Sequence, residues 1–359
     1  MDTNAAAPIV LKADAPRRAF CVAMQKDNKP VRVEGESSAD FTTLLEESDV
    51  AWVNFVVDDI NADGEAIATS LGFSQNLVST LLTGFRSNYE DRDVELGIMI
   101  PAVDTERLEV TIHPLVILIK RGLILTIHGK NISRLVKFSR YANTFMKKIK
   151  QNIPWQDKMT ILLWRIMDEN NSKNFDHLRE IEEQADELAK DMMNPMTPRD
   201  KLGPDIYRMK HALIIYLDSL WATLDVIHTL RYGDAEVLSD NSKILERISV
   251  LASDVTSQIS ISEHMSEVLA SGLEVLQTIY NNQLQMLNNR LALLATWLAI
   301  IGTAVLVPNT LATIFGIPTI SEHLDWRLTI LILIASTLLS AWIAYWAIRA
   351  KGLIPKSVE

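Results

Sequence analysis

Cysteine is almost missing from this chain. Cys21 stands alone, which excludes a disulfide framework and a thiolate metal site. Basic residues are outnumbered, 35 Lys and Arg against 45 Asp and Glu, for a formal net charge of -10. A phosphate backbone is bound by a basic surface, so nucleic acid is excluded as a partner. There is no phosphate-binding glycine loop, no nucleophile motif and no paired-histidine metal motif, which argues against an ATP-driven transporter and against an enzyme. His113, His128, His177, His211, His228 and His264 are scattered without ligand spacing and read as structural. Residues 1–17 lack the apolar core of a signal peptide and read as a disordered leader.

Charge is also missing from two stretches, and there the absence is informative. Leu291–Phe315 (LALLATWLAIIGTAVLVPNTLATIF) and Leu328–Ile348 (LTILILIASTLLSAWIAYWAI) hold no charged residue. Each exceeds the roughly 20 apolar residues that cross a bilayer as a helix. Residues 316–327 alone separate them, which predicts a transmembrane hairpin in the lipid bilayer. Arg290 precedes the first span, and Arg349, Lys351 and Lys356 follow the second. The positive-inside rule therefore puts the body and the 349–359 tail in the cytoplasm of a cell (inner) membrane, with the loop outside. Trp326, Trp342, Tyr345 and Trp346 fit interfacial belts.

Residues 18–135 alternate strand and helix signals and predict an α/β domain. Ala19–Met24, Val31–Val33 and Ala51–Val57 read as strands, as do Glu95–Val103, Leu108–Ile112, Leu115–Ile119 and Leu123–His128. Lys120-Arg121-Gly122 reads as a hairpin turn. Helices are expected over Ile60–Leu71, stopped by Gly72, and from a Ser74 cap through Leu82.

Residues 136–290 read as a helical stalk. Leu178, Ile181, Ala185, Leu188 and Met192 recur at helical spacing, with Glu182, Glu183 and Glu187 between them as a solvated face. A further helix is expected from Pro204 to about Arg231. No proline falls between Asn241 and Pro308. One helix of roughly 75 residues, on the order of 110 Å long, is expected to run from the stalk through the first span. Such a helix needs partners to cover its apolar face.

This layout resembles the CorA family of divalent-cation channels, which includes the zinc transporter ZntB. Pro308–Gly316 (PNTLATIFG) is similar to the family's P-T-L-I-A-S-I-Y-G, and Pro114–His128 is similar to its V-S-F-F-L-x-x-N-x-L-L-T-V-H strand pair. Ser87–Pro101 and Ile206–His228 resemble two further family segments. The resemblance implies an α+β membrane protein: an N-terminal α/β cytosolic domain, a long helical stalk or funnel and two C-terminal transmembrane helices. It also implies a homopentamer whose first span, 291–315, lines the pore while the second, 328–348, packs outside it.

Two departures from that family stand out. Its pore mouth carries Gly-Met-Asn, whereas Gly316-Ile317-Pro318 stands here. Proline has neither a side-chain oxygen nor an amide hydrogen. Backbone carbonyls with Thr319, Glu322 and His323 are what remain for an outer cation site. Family members also bridge an acidic residue after the second α/β helix to a stalk aspartate through magnesium. Here Ser79 and Thr80 stand where the acids would be, and neutral hydroxyls are poor ligands for a hard cation. Asp254 is the candidate for the surviving metal-binding half.

Counting back from Gly316, a pore stripe would hold Thr313, Asn309, Leu306, Gly302, Leu298, Ala295, Leu291 and Asn288. Asn309 and Thr313 would offer oxygens to a hydrated cation, while Leu306, Leu298 and Leu291 would form a constriction gating by dewetting. The alternative is that Asn309 and Thr313 hold the two helices together. Expected function is passive movement of cations, magnesium or another divalent ion (zinc, cobalt, nickel), with altered selectivity or gating. A proton-coupled zinc transporter using Glu322 and His323, and a non-transporting scaffold or sensor, are the alternatives. No resident cofactor is expected.

Overall fold

Runs of β-branched and aromatic residues build one mixed sheet. The computed structural model describes residues 19–107, 109–193, 199–233, 235–317 and 325–350. Its strands are β1 (Ala19–Gln25), β2 (Pro30–Gly35), β3 (Ser48–Val57), β4 (Asn88–Asp91), β5 (Glu95–Glu106), β6 (Glu109–Lys120) and β7 (Leu123–Gly129). Their order is β2-β1-β3-β7-β6-β5-β4. Only β3 and β7 pair in parallel. Gly122 adopts φ +79° in the tight β6–β7 turn expected at residues 120–122.

The two strands expected over 108–119 are one strand, β6. Pro114 does not break it because it lies opposite Pro101 of β5. The outer neighbours have already ended at this level: β4 pairs only as far as Met99, and β7 only as far as Leu115. Two residues without an amide hydrogen therefore sit where the ladder asks for none.

Short helices α1 (Thr42–Glu46), α2 (Ile60–Ser70) and α3 (Leu77–Leu82) cover one face. Cys21, Val53, Leu125 and Leu118 follow one another across the register there. They pack with Ile67, Leu77 and Leu81. Each such side chain contributes about 1.5–3 kcal/mol on burial. Gly72 takes φ +79° just past α2, as expected of the residue that stops a helix. The cap of α3 differs from expectation. Both carboxylate oxygens of Glu95 accept from the Ser74 amide (3.2 and 3.0 Å), and α3 starts after Asn76 at φ 63°.

The second face carries α4 (Ser133–Met146) and α5 (Trp155–Asn171) over β1, β2, β3 and β7. The helix α7 (Arg199–Tyr232) lies over β4, β5 and β6, with α6 (Asn174–Met193) beside it. Trp52 packs on Phe138 of α4, ring centroids 5.1 Å apart. Its Nε1 donates to Thr126 Oγ1 at 2.9 Å, and the Asn54 amide lies between Thr126 and His128. Burial pushes the His128 imidazole down to about 4. A neutral ring is thereby kept inside the sheet.

Helix α7 starts at Arg199, with Pro204 inside its N-terminal turns rather than opening it. Among the described residues, three helices are long and apolar enough to cross a membrane: α7, α8 (Ser242–Phe315) and α9 (Trp326–Ala350). Half of the apolar window of α7 is buried in the α/β body, through residues such as Met209, Leu213, Tyr216 and Leu220. That face is the cover of the sheet. The windows of α8 and α9 are 6% buried.

The chain divides into two units, Met1–Gly272 and Leu273–Glu359, with the division inside the segment expected as stalk. In the first unit, α8 is capped by Asn241, whose Oδ1 accepts from the Lys243 amide at 3.1 Å. It buries Ile244, Ile248, Leu251, Val255, Ile259 and Ser262 along one stripe. The helix runs unbroken for 74 residues, as the long proline-free stretch predicts.

Candidate ion path along the first membrane helix

The second unit holds the C-terminal part of α8 and all of α9. In a unit of two described helices, shielding of a side chain comes from the other helix. Over residues 291–315 of α8 the shielded residues are Leu293, Thr296, Ile300, Ala304, Pro308, Leu311 and Phe315. Along α9 they include Thr329, Leu333, Ser336, Ser340 and Ala344. Both sets recur every three to four residues, as one helix face does. They form the seam of the hairpin, with Ile300 at 9% and Ser340 at 7% exposure as its most covered members. This seam was legible in principle from the spacing of Ser336, Ser340 and Ala344, and the sequence reading missed it.

The expected stripe lies elsewhere. Asn288, Leu291, Ala295, Leu298, Gly302, Leu306, Asn309, Thr313 and Gly316 are all exposed in the single chain. At about 100° per residue they centre on the face of α8 opposite the seam. Asn309 and Thr313 therefore do not join this hairpin. The Thr313 hydroxyl donates to the Asn309 carbonyl at 2.8 Å, which leaves its lone pairs as acceptors. Leu306 and Leu298 stand 67% and 69% exposed.

Pro308 belongs to the seam. The carbonyl it releases is that of Ala304, four residues earlier and on the same shielded face. Gly316 closes the helix through its amide to Ala312 O at 2.9 Å, and Ile317 follows through Ile314 O at 3.2 Å. Pro318, Thr319, Glu322 and His323 lie outside the described residues. Trp326, Trp342, Tyr345 and Trp346 are exposed on α9, with the Arg327 guanidinium 5.5 Å from the Trp326 ring.

The candidates in the first unit, Ser79, Thr80 and Asp254, are not brought together within one chain. Ser79 gives its amide and its hydroxyl to Glu65 Oε2, each at 3.0 Å, and Glu65 Oε1 accepts from the Asn76 amide. Glu65 of α2 thus caps α3 across 11 and 14 residues, a role no local sequence signal announces. The Thr80 hydroxyl donates to Asn76 O at 2.6 Å. Asp254 is half-buried on α8 near Asp168 of α5. Burial first, then Glu169 and Asp254, hold the Asp168 carboxyl above the usual range, against the Arg165 guanidinium. Arg165 reaches Asp168 at 2.6 Å and Glu169 at 2.8 Å. Among the described residues, no three histidine, cysteine, aspartate or glutamate side chains converge as a metal-binding group.

The whole-chain fold has counterparts among solved structures. The complete CorA magnesium transporter from Methanocaldococcus jannaschii superposes with a TM-score of 0.67 at 20% identity, over 94% of this chain and 98% of that one. The full-length CmaX protein gives 0.61 at 15%, over 94% and 100%. The ZntB cytoplasmic domain from Vibrio parahaemolyticus gives 0.56 at 14%, over 74% and 98%. No curated protein sequence matches. The model of the family described as "CorA-like Mg2+ transporter protein" matches residues 47–349, and the chain belongs to that family.

Proposed function

We propose that copies of this chain assemble around α8 and let cations pass down their electrochemical gradient through the exposed stripe. A homopentamer is the assembly the family resemblance implies. The observation that carries the reading is the position of the stripe. Its polar upper end, Asn309 and Thr313, and its leucine-rich stretch, Leu306, Leu298 and Leu291, share the face turned away from the hairpin seam. A ring of such faces encloses a path with oxygen ligands above and an apolar constriction below. Exposed apolar side chains continue down α8 at Val268, Val275, Leu284 and Leu287, and such a face calls for partner helices or lipid.

Magnesium is the first candidate ion. Gly316-Ile317-Pro318 in place of Gly-Met-Asn removes the asparagine oxygen, so Asn309 and Thr313 become the uppermost side-chain ligands on the helix and selectivity shifts accordingly. Both termini lie in the cytoplasm of the inner membrane in this reading. Glu322 and His323 then face outward and would serve a zinc-type, proton-coupled alternative.

The test is ion flux into proteoliposomes holding the purified protein. Magnesium, zinc, cobalt, nickel, sodium and potassium are compared with and without a pH gradient. Saturable divalent flux independent of the pH gradient supports the channel. Zinc uptake that requires the gradient supports the coupled transporter. A well-assembled protein that moves no ion refutes transport and leaves a scaffold.

A further inference from the structure

This acidic chain carries a basic surface along α4. From Lys120 to Lys150 there are nine lysines and arginines and no aspartate or glutamate. Helix α4 turns Leu135, Phe138, Ala142 and Met146 inward, and leaves Lys137, Arg140 and Tyr141 exposed on its other side, with Lys147 and Lys148 exposed just past its end. The ion pairs near this surface among the described residues are Arg32–Glu34, Lys130–Asp58, Lys158–Asp49 and those of Arg165. The outward cations of α4 have no acidic partner there.

Beside them lies a groove of about 440 Å³ between α4, α5 and the first turns of α8. Tyr141 and Phe145 of α4 and Trp164 of α5 supply aromatic walls, and Lys148 and Arg247 supply cations. The Arg247 guanidinium sits 5.1 Å from the Trp164 ring. Arg165 also lines the groove, but two carboxylates, Asp168 and Glu169, more than offset its one charge, and Glu169 further accepts from the Tyr141 hydroxyl at 2.5 Å, so the cations left to meet an anion are the unpaired ones. The free charge of the groove is therefore that of Lys148 and Arg247, reinforced by Arg140 and Lys137 on α4.

Aromatic faces stack planar rings. Guanidinium and ammonium groups hold phosphate oxygens through charge-assisted hydrogen bonds. The volume falls in the range of small-ligand sites. We propose that this groove binds a nucleoside di- or triphosphate, with its base against Trp164 and Tyr141 and its phosphates against Arg247 and Lys148. The site stands independently of the ion path.

The experiment uses the full chain in nanodiscs of zwitterionic lipid, in magnesium-free buffer. Fluorescence anisotropy of N-methylanthraniloyl-ATP reports binding, with unlabelled ATP and inorganic tripolyphosphate as competitors. Saturable binding is expected, displaced by ATP and by tripolyphosphate at concentrations at least about tenfold higher. Lys148→Ala combined with Arg247→Ala is expected to weaken it by about tenfold or more at unchanged melting temperature, since both side chains are exposed. Trp164→Leu is expected to narrow the advantage of ATP over tripolyphosphate. Absence of saturable binding, indifference to the double variant, or equal competition by tripolyphosphate overturns the proposal.

Discussion

Replacing Leu306 by asparagine is the most direct probe of the ion path. In the single chain Leu306 is 67% exposed, on the face away from the seam. Full burial of a leucine side chain contributes about 1.5–3 kcal/mol, so two-thirds of one is worth roughly 1–2 kcal/mol in each copy. That is the apolar contribution a dry constriction loses per copy when an amide, which water wets, takes its place. A change of about 1.4 kcal/mol is already tenfold. Leu306→Asn is therefore expected to raise basal leak roughly five- to thirtyfold, even if only one copy's share is felt. The assay is stopped-flow entry of magnesium into proteoliposomes loaded with an indicator dye. Leu311→Asn is the matched control, because Leu311 is shielded in the seam and its amide would face α9. It is expected to weaken the hairpin, seen as a lower melting temperature, with little leak. A leak in Leu311→Asn and none in Leu306→Asn refutes the register.

Three further outcomes are expected. Asn309→Ala changes the ratio of magnesium to cobalt and sodium flux while leaving the melting temperature of the assembly within error, because the residue holds no seam; unchanged flux ratios remove it from the path. Gly97→Ala lowers the stability of the α/β body by about 1–3 kcal/mol, read by urea unfolding, because an added Cβ meets Leu81 Cδ1 at 2.7 Å and Leu77 Cδ1 at 3.1 Å in a filled core. His128 makes stability depend on pH. Its folded value of about 4 lies below the usual 6.5, so its contribution is complete above pH 6.5 and is lost as pH falls toward 4. The slope approaches about 1.4 kcal/mol per pH unit, and melting curves of His128→Gln should flatten across that window.

Much of the fold was legible because periodicity carried it. The β-branched and aromatic runs through Ala51–Val57 and Leu123–His128 mark the two parallel central strands, and the proline-free run after Asn241 marks the long helix. What stayed hidden depends on residues far apart in sequence. The cap of α3 comes from Glu65 on α2, while Ser74, the local candidate, is bound to Glu95. The short strand β4 has no period to display. The continuity of β6 rests on Pro114 meeting Pro101 across the register. The stripe on α8 was legible as a count of residues. Its separation from the seam required the second helix, since on α8 the shielded side, with Leu293, Ile300 and Leu311, is as apolar as the exposed one.

The surroundings of Ser79 and Asp254 disfavour a magnesium bridge between them. A magnesium bridge needs carboxylate oxygens with lone pairs to give. Near Ser79 the carboxylate at hand is Glu65, and it accepts from two amides and one hydroxyl in the first turn of α3. Recruiting it to a cation would uncap that helix, at about 1 kcal/mol or more. Asp254 stands beside an Asp168 carboxyl that burial already pushes toward protonation, with Arg165 occupying the space between the acids of α5. A cation arriving there competes with a guanidinium already bonded to two carboxylates. Millimolar magnesium is therefore expected to leave the protease sensitivity of α8 unchanged, and Asp254→Asn to make no difference to that result. Protection by magnesium that disappears in Asp254→Asn would show that the aspartate still binds the ion and that its partner comes from elsewhere in the assembly.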